Sequence, residues 1–255
     1  MKSLTMEKRD ALGAGDVQLH LLRYDKTSSN STGNYLYLLS SDEQDLFKFI
    51  ELESRRREFL WSRLFLRRVL SLTLGKEMSE LKFSRGDFGK PFLEASDLQF
   101  NLSHTDQLIA CSVSRHRVGI DIERVISGEK AEEQRMLLAK RHFSTAEQDY
   151  LNSQPEDSRA LVFYQIFTLK EAYVKALGAG LNVPFPGFSV PLPLREKSRW
   201  GGWEFFTRVL SPTDIRLAHV VENPNNDFCR YEIFDWDQDY LPGGPLFEHK
   251  MFQNN

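Results

Sequence analysis

An α+β fold is predicted by the way apolar patterns are grouped along the chain. Strands and helices come in blocks rather than in strict alternation, which disfavours a doubly wound parallel sheet. The block order of strand, helices, strands occurs twice, with a join at residues 114–118. That repetition predicts two similar, pseudo-symmetric lobes, an N-terminal one over 1–115 and a C-terminal one over 116–255. The length of 255 residues allows one large domain or two smaller ones.

Each element has a local reason. VQLHLL (17–22) alternates apolar and polar residues, and NYLYLLS (34–40) is rich in β-formers, so both read as strands. DKTSSNSTGN (25–34) between them is a loop by composition. Ser41 and Gln44 form a capping-box pattern that opens a helical stretch to Gly75, broken near Ser54. LQFNLS (98–103), LIACSVS (108–114) and RVGIDIERV (117–125) are short and β-rich. A second capping box is Ser144 with Glu147, and a long helix then runs over 158–178 to Gly178. Residues 188–190, 203–210, 215–222 and 230–236 read as strands, and the tail after Leu241, with its Pro, Gly and Asn, as loose.

Composition narrows the class. Hydrophobic residues at 41% and charged residues at 27% describe a folded chain with an ample core. A net charge of −3 argues against a general nucleic-acid binder. Cys111 and Cys229 are the only cysteines and form no CxxC pair, so neither a disulfide framework nor a thiolate zinc site is expected. The first residues hold no apolar signal core and no segment approaches membrane-spanning length, so the expectation is a cytoplasmic protein with no membrane partner.

Five places carry chemistry. In VGIDIER, alternation puts Asp121 and Glu123 on one strand face, roughly 6–7 Å apart at the backbone. A shared Mg²⁺ would relieve their repulsion, and Gly119 would let a ligand approach the backbone; the plainer reading is a solvated acidic face. In FTLKEAYVK, Glu171 and Lys175 share a helix face, which suits a metal–phosphate site or an ordinary i,i+4 ion pair. FNLSHT ends a strand with Ser103 and His104, of which the imidazole can donate to a phosphate oxygen. SRGDFGKPF combines Arg85, Gly89 and Lys90 in a flexible, cationic loop, readable as a phosphate binder or a plain turn. SRRREFLWSRLFLRR holds Arg55, Arg56, Arg57, Arg63, Arg67 and Arg68, a basic helical region suited to an anion or to solvent.

Taken together, GKPF, FNLSH, GIDIE, FTLKEAYVK and GAGL, in that order, resemble the 4′-phosphopantetheinyl transferase superfamily, over about Arg55 to Val190. Length and motif form are similar to its larger, surfactin-synthetase-activating type. The resemblance implies two lobes with the active site in the cleft between them. It implies transfer of the 4′-phosphopantetheine arm of coenzyme A to a serine of an apo acyl or peptidyl carrier protein, with Mg²⁺ required and adenosine 3′,5′-bisphosphate released. It implies Asp121, Glu123 and Glu171 as Mg²⁺ ligands, and Lys175 on the pyrophosphate. His104 and Ser103 would meet the 3′-phosphate, and Arg55, Arg85, Gly89 and Lys90 the adenosine and phosphates of coenzyme A. The base that takes the serine proton is left open among Glu171, Glu147 and water. Phe167 stands where the family has Trp. A monomer is implied. The alternatives in other classes are a phosphodiesterase that removes the arm and a non-catalytic module that binds coenzyme A or a carrier protein.

Overall fold

The computed structural model describes residues 12–13, 15–24, 32–210, 214–223, 227–237 and 250–252. Strand β1 (Asp16–Arg23) is followed by a 3₁₀ helix, Thr32–Leu38, and by helices α1 (Ser41–Phe49) and α2 (Glu53–Leu74). A small hairpin, β2 (Phe83–Arg85) and β3 (Pro91–Leu93), leads to β4 (Gln99–Thr105), β5 (Leu108–Ser114) and β6 (Val118–Arg124). Helices α3 (Glu129–His142), α4 (Thr145–Asn152) and α5 (Glu156–Leu177) follow, then β7 (Lys197–Trp200), β8 (Trp203–Leu210), β9 (Ile215–Glu222), β10 (Arg230–Asp237) and β11 (Lys250–Phe252).

Two sheets form the centre. The first has the order β11-β10-β1-β5-β4, with β1 and β10 parallel and the other pairs antiparallel. The second, β6-β9-β8-β7, is antiparallel throughout. Alternation along the strands divides the core. Leu22, Ile109, Cys111 and Val113 pack outward against Leu60, Leu64 and Phe65 of α2. Val17, Leu19, Ala110, Val118, Ile120, Ile122, Phe206 and Leu217 fill the space between the sheets. Phe205, Ala218 and Val220 pack against Ile166, Leu169 and Ala172 of α5. The layers are therefore helix, sheet, sheet, helix, the two-lobed α+β arrangement that the block order predicts.

The lobes share a local device. Each long helix has 22 residues and stops at a left-handed glycine, Gly75 (φ 64°) or Gly178 (φ 67°), where a side chain would be strained. Each is preceded by a short helix opened by a capping box, Ser40–Glu43 or Ser144–Glu147. In each, the capping glutamate also holds a buried cation of the long helix: Arg67 Nη2 lies 2.6 Å from Glu43 Oε2, and Lys170 Nζ 2.8 Å from Glu147 Oε2. Each cation then donates to a carbonyl beyond its helix, Leu81 or Phe188, and sits over a phenylalanine ring, Phe83 or Phe188.

The structure corrects several expectations. The first box is Ser40–Glu43, not Ser41–Gln44, because Ser40 has the extended backbone of a cap (ψ 162°) and Ser41 is already helical. Residues 34–38, read as a strand, lie in the 3₁₀ helix. Among the described residues, 188–190 pair with no strand, and the loop expected over 84–92 is the turn of the hairpin β2–β3 with its flanking strand residues. Strand β10, late in the chain, aligns beside β1 in the first sheet. Within the tail, 250–252 form β11 against β10, and 241–249 fall outside the described residues. Phe167, where the family has Trp, stacks on Phe163 (5.8 Å between centroids).

Candidate active site

The lobes meet where edge strands β4 and β6 lie side by side. The amide of Ile120 donates to Asn101 Oδ1 (2.9 Å) and that of Ile122 to Ser103 Oγ (3.3 Å). Side chains of one lobe thus satisfy edge amides of the other, which would otherwise be buried without partners.

Behind this seam β6 presses on α5. A Cβ built on Gly119 would stand 1.9 Å from the Ala172 carbonyl oxygen and 2.4 Å from the Ala176 nitrogen. The glycine therefore admits the helix backbone, not a ligand as the sequence reading had it. Gly119→Ala is expected to cost about 3 kcal/mol, the upper part of the overpacking range, because backbone rather than a side chain must move. Thermal unfolding checks this, and an unchanged melting temperature would contradict the close contact.

That contact brings the acids and Lys175 together. Lys175 Nζ donates to Asp121 Oδ1 (2.6 Å), which also accepts from Ser103 Oγ (2.8 Å). Asp121 is buried, and its Oδ2 has no hydrogen-bond partner among the described residues. Burial and the neighbouring Asp121 raise the Glu123 carboxyl to about 7, Lys175 opposing and Glu171 adding to the rise. Burial, then Asp121, raise Glu171 as well. Among the described residues no three His, Cys, Asp or Glu side chains converge closely enough to hold a metal ion. The donor chemistry nonetheless fits a hard divalent cation, since the oxygens are carboxylates that repel one another and one is buried and unpartnered.

The raised carboxyl makes a stability prediction. Between pH 4.5 and about 7 the folded state holds a proton on Glu123 that the unfolded state has lost. Stability therefore falls as pH rises through that window. In EDTA, Glu123→Gln is expected to raise the melting temperature at pH 8 and leave it unchanged at pH 4. An equal effect at both values would contradict the repulsion.

On the first lobe lies a cavity of about 520 Å³ lined by Arg55, Glu58, Ser62, Arg63, Arg85, Asn101 and His104, among others. Arg55, Phe59, Ser62 and Arg63 reach it because they recur at helical spacing on α2. Arg63 and Arg85 are close enough for Arg85 to lower the Arg63 guanidinium, although burial lowers it more. Cations held near one another around a cavity suit an anionic ligand. Glu58 Oε1 stands 3.5 Å from His104 Nδ1 and 3.7 Å from Arg55 Nη1.

The expected residues are thus held in different places. Arg55, Arg85 and His104 share the cavity. Ser103 is not beside His104 there: successive strand residues point to opposite faces, and Ser103 turns to Asp121 and Lys175. Lys90 is spent on the backbone, donating to Val118 O (2.9 Å), Lys175 O (2.8 Å) and Ala176 O (3.3 Å), with burial pulling it down to about 8. Gly89 (φ 82°) closes the hairpin turn and offers its carbonyl to Arg85. Glu147 is fully buried; it accepts from Lys170, Ser144 N and Val190 N. A carboxylate so enclosed and so fully bonded is engaged as a structural group, joining α4, α5 and the segment at Val190.

Sequence reasoning missed Glu58 and Ser62, though helical spacing from Arg55 could have found both. It singled out Arg63 only as part of a basic run. It passed over Lys170, since a lysine in an apolar helix gives no sign of the glutamate that will bury with it.

Comparisons with known proteins agree with this architecture. A family model described as "4'-phosphopantetheinyl transferase superfamily" matches residues 117–207, and one described as "4'-phosphopantetheinyl transferase, N-terminal" matches residues 27–116. A Synechocystis sp. protein provisionally named a 4′-phosphopantetheinyl transferase is 32% identical over 228 residues, 84% of this chain and 89% of its own. The chain belongs to the 4′-phosphopantetheinyl transferase superfamily. Other members that it resembles are 4′-phosphopantetheinyl transferase Sfp of Bacillus subtilis (strain 168), 32% identical over 65% of this chain and 71% of that protein. The transferase gsp of Aneurinibacillus migulanus is 32% identical over 59% of this chain. The chain spans about three fifths of the length of that relative, 60%. The seam between the two superfamily segments, 116/117, falls just before β6. No helix among the described residues is long and apolar enough to cross a membrane.

Proposed function

We propose that the protein transfers the 4′-phosphopantetheine arm of coenzyme A to a serine of an apo acyl or peptidyl carrier protein and releases adenosine 3′,5′-bisphosphate. The observation that carries the reading is the pairing, on either face of β4, of a cationic cavity with a lysine-bearing acidic cluster. Coenzyme A needs both: cations for its adenosine phosphates and a reactive centre for its pyrophosphate.

In this reading Arg55, Arg63, Arg85 and His104 take the adenosine 3′-phosphate end. Lys175 neutralises charge on the departing phosphate. The serine Oγ–P bond forms as the bridging P–O bond of the pyrophosphate breaks, and the serine proton passes to Glu171 or to water. Asp121, Glu123 and Glu171 would hold Mg²⁺, which when bound polarises the pyrophosphate and screens the growing charge. Burial and the neighbouring Asp121 raise the proton affinity of Glu171, the direction that favours a proton acceptor. The protein would act in the cytoplasm, as a monomer.

Release of adenosine 3′,5′-bisphosphate from coenzyme A, followed by chromatography, tests the proposal. Release is expected only with both apo carrier protein and Mg²⁺ present. Release without a carrier would replace the transferase by a hydrolase, and binding of coenzyme A without release would leave a binding module.

A further inference from the structure

The motifs GKPF and GAGL lie 85 or more residues apart in sequence, yet they form one contact between the lobes. The hairpin β2–β3 of the first lobe carries Phe88 and Lys90; residues 178–181 follow α5 of the second. A Cβ on Gly178 would stand 3.1 Å from Lys90 Cδ, and one on Gly180 3.6 Å from Phe88 Cβ. Gly178 leaves room for the Lys90 stem, and Gly180 stands in ordinary contact range of Phe88. Through that gap the Lys90 ammonium reaches three carbonyls: two in the last turn of α5, where helix carbonyls have no intrahelical partners, and one on β6.

These carbonyls belong to consequential places. Val118 begins the run Val118–Gly119–Ile120–Asp121, and Lys175 contributes both its own carbonyl to Lys90 and its ammonium to Asp121. We propose that Lys90 is a positioning residue: its ammonium clamps the end of α5 to the start of β6 and so sets the registration of Lys175 against Asp121. Lys90 is not among the residues lining the cationic cavity, whereas Arg85 and Pro91 of the same hairpin are. The hairpin thus carries cavity residues and the clamp together.

The kinetic part of the test rests on the transferase reading, and the exchange part does not. Lys90→Met keeps the stem and removes the donors; Lys90→Gln keeps an amide that can still donate. With coenzyme A varied against a saturating apo carrier protein, Lys90→Met is expected to lower kcat about 30-fold, the scale of a misplaced reacting group. The KM for coenzyme A should stay within about threefold, and Lys90→Gln should fall between Met and wild type. Arg85→Ala, in the cavity, should instead raise KM. Raised KM with full kcat in Lys90→Met would overturn the proposal and make the lysine a ligand. Hydrogen exchange on the full chain is read in parallel. Faster exchange over 118–121 and 174–178 in Lys90→Met, with 55–63 unchanged, supports the clamp even if wild type transfers nothing. Unchanged exchange at those two segments overturns it. If Lys90→Met does not fold, Lys90→Gln carries both readouts on the same criteria.

Discussion

Asp121→Asn is expected to lower transfer by about 10³-fold while leaving the fold intact, a loss on the scale of removing one preorganised electrostatic group. Asn has nearly the shape of Asp and can still accept from Ser103. What it lacks is the charge. Asp121 Oδ1 is the partner of the Lys175 ammonium at 2.6 Å, and its Oδ2 is buried with no hydrogen-bond partner among the described residues. Without the carboxylate, Lys175 loses the group that orients it and the cluster loses its most buried acid. The same charge raises the proton affinity of Glu123 and Glu171, so its removal relieves a repulsion that the fold otherwise bears. The melting temperature of Asp121→Asn in EDTA should therefore equal or exceed that of wild type. Turnover within threefold of wild type would contradict the role of the carboxylate, and a large fall in melting temperature would make it a structural one.

Lys170→Met is expected to have the largest effect on stability, a loss of about 3–5 kcal/mol, because it leaves one charge of a buried pair uncompensated. Lys170 and Glu147 both have fully buried side chains, and the glutamate also holds Ser144 N and Val190 N. Burial pulls the lysine down and the glutamate pushes it back up, the net direction being down. Adding Glu147→Gln to Lys170→Met removes the stranded charge, so the double variant should regain most of the loss. The double variant also separates two roles of Glu147: retained transfer is expected, since Glu147 is enclosed. A stable double variant without transfer would return Glu147 to the part of general base.

The sequence was most legible where a local rule has one physical solution. Gly75 and Gly178 mark helix ends because only glycine takes a left-handed backbone cheaply, and the structure ends α2 and α5 there. Alternation in VGIDIER assigned Asp121 and Glu123 a face apart from Ile120 and Ile122, and Ile120 and Ile122 do lie between the sheets. Long-range pairing was not legible. Nothing in residues 230–237 says that they align beside β1 more than 200 positions earlier. The same limit applied to side chains. Lys90 and Gly119 sit in motifs associated with a ligand, yet each spends its distinctive property, an ammonium or a missing side chain, on the close packing of β6 and α5. Ser103 and His104 are adjacent in sequence, and strand alternation sends them to different faces.

Whether the protein is a transferase is decided by the intact mass of an apo carrier protein after incubation with this protein, coenzyme A and Mg²⁺. One added phosphopantetheine on the carrier is expected, and no addition when EDTA replaces Mg²⁺. An unmodified mass across several acyl and peptidyl carriers, with coenzyme A still bound by the protein, would contradict it.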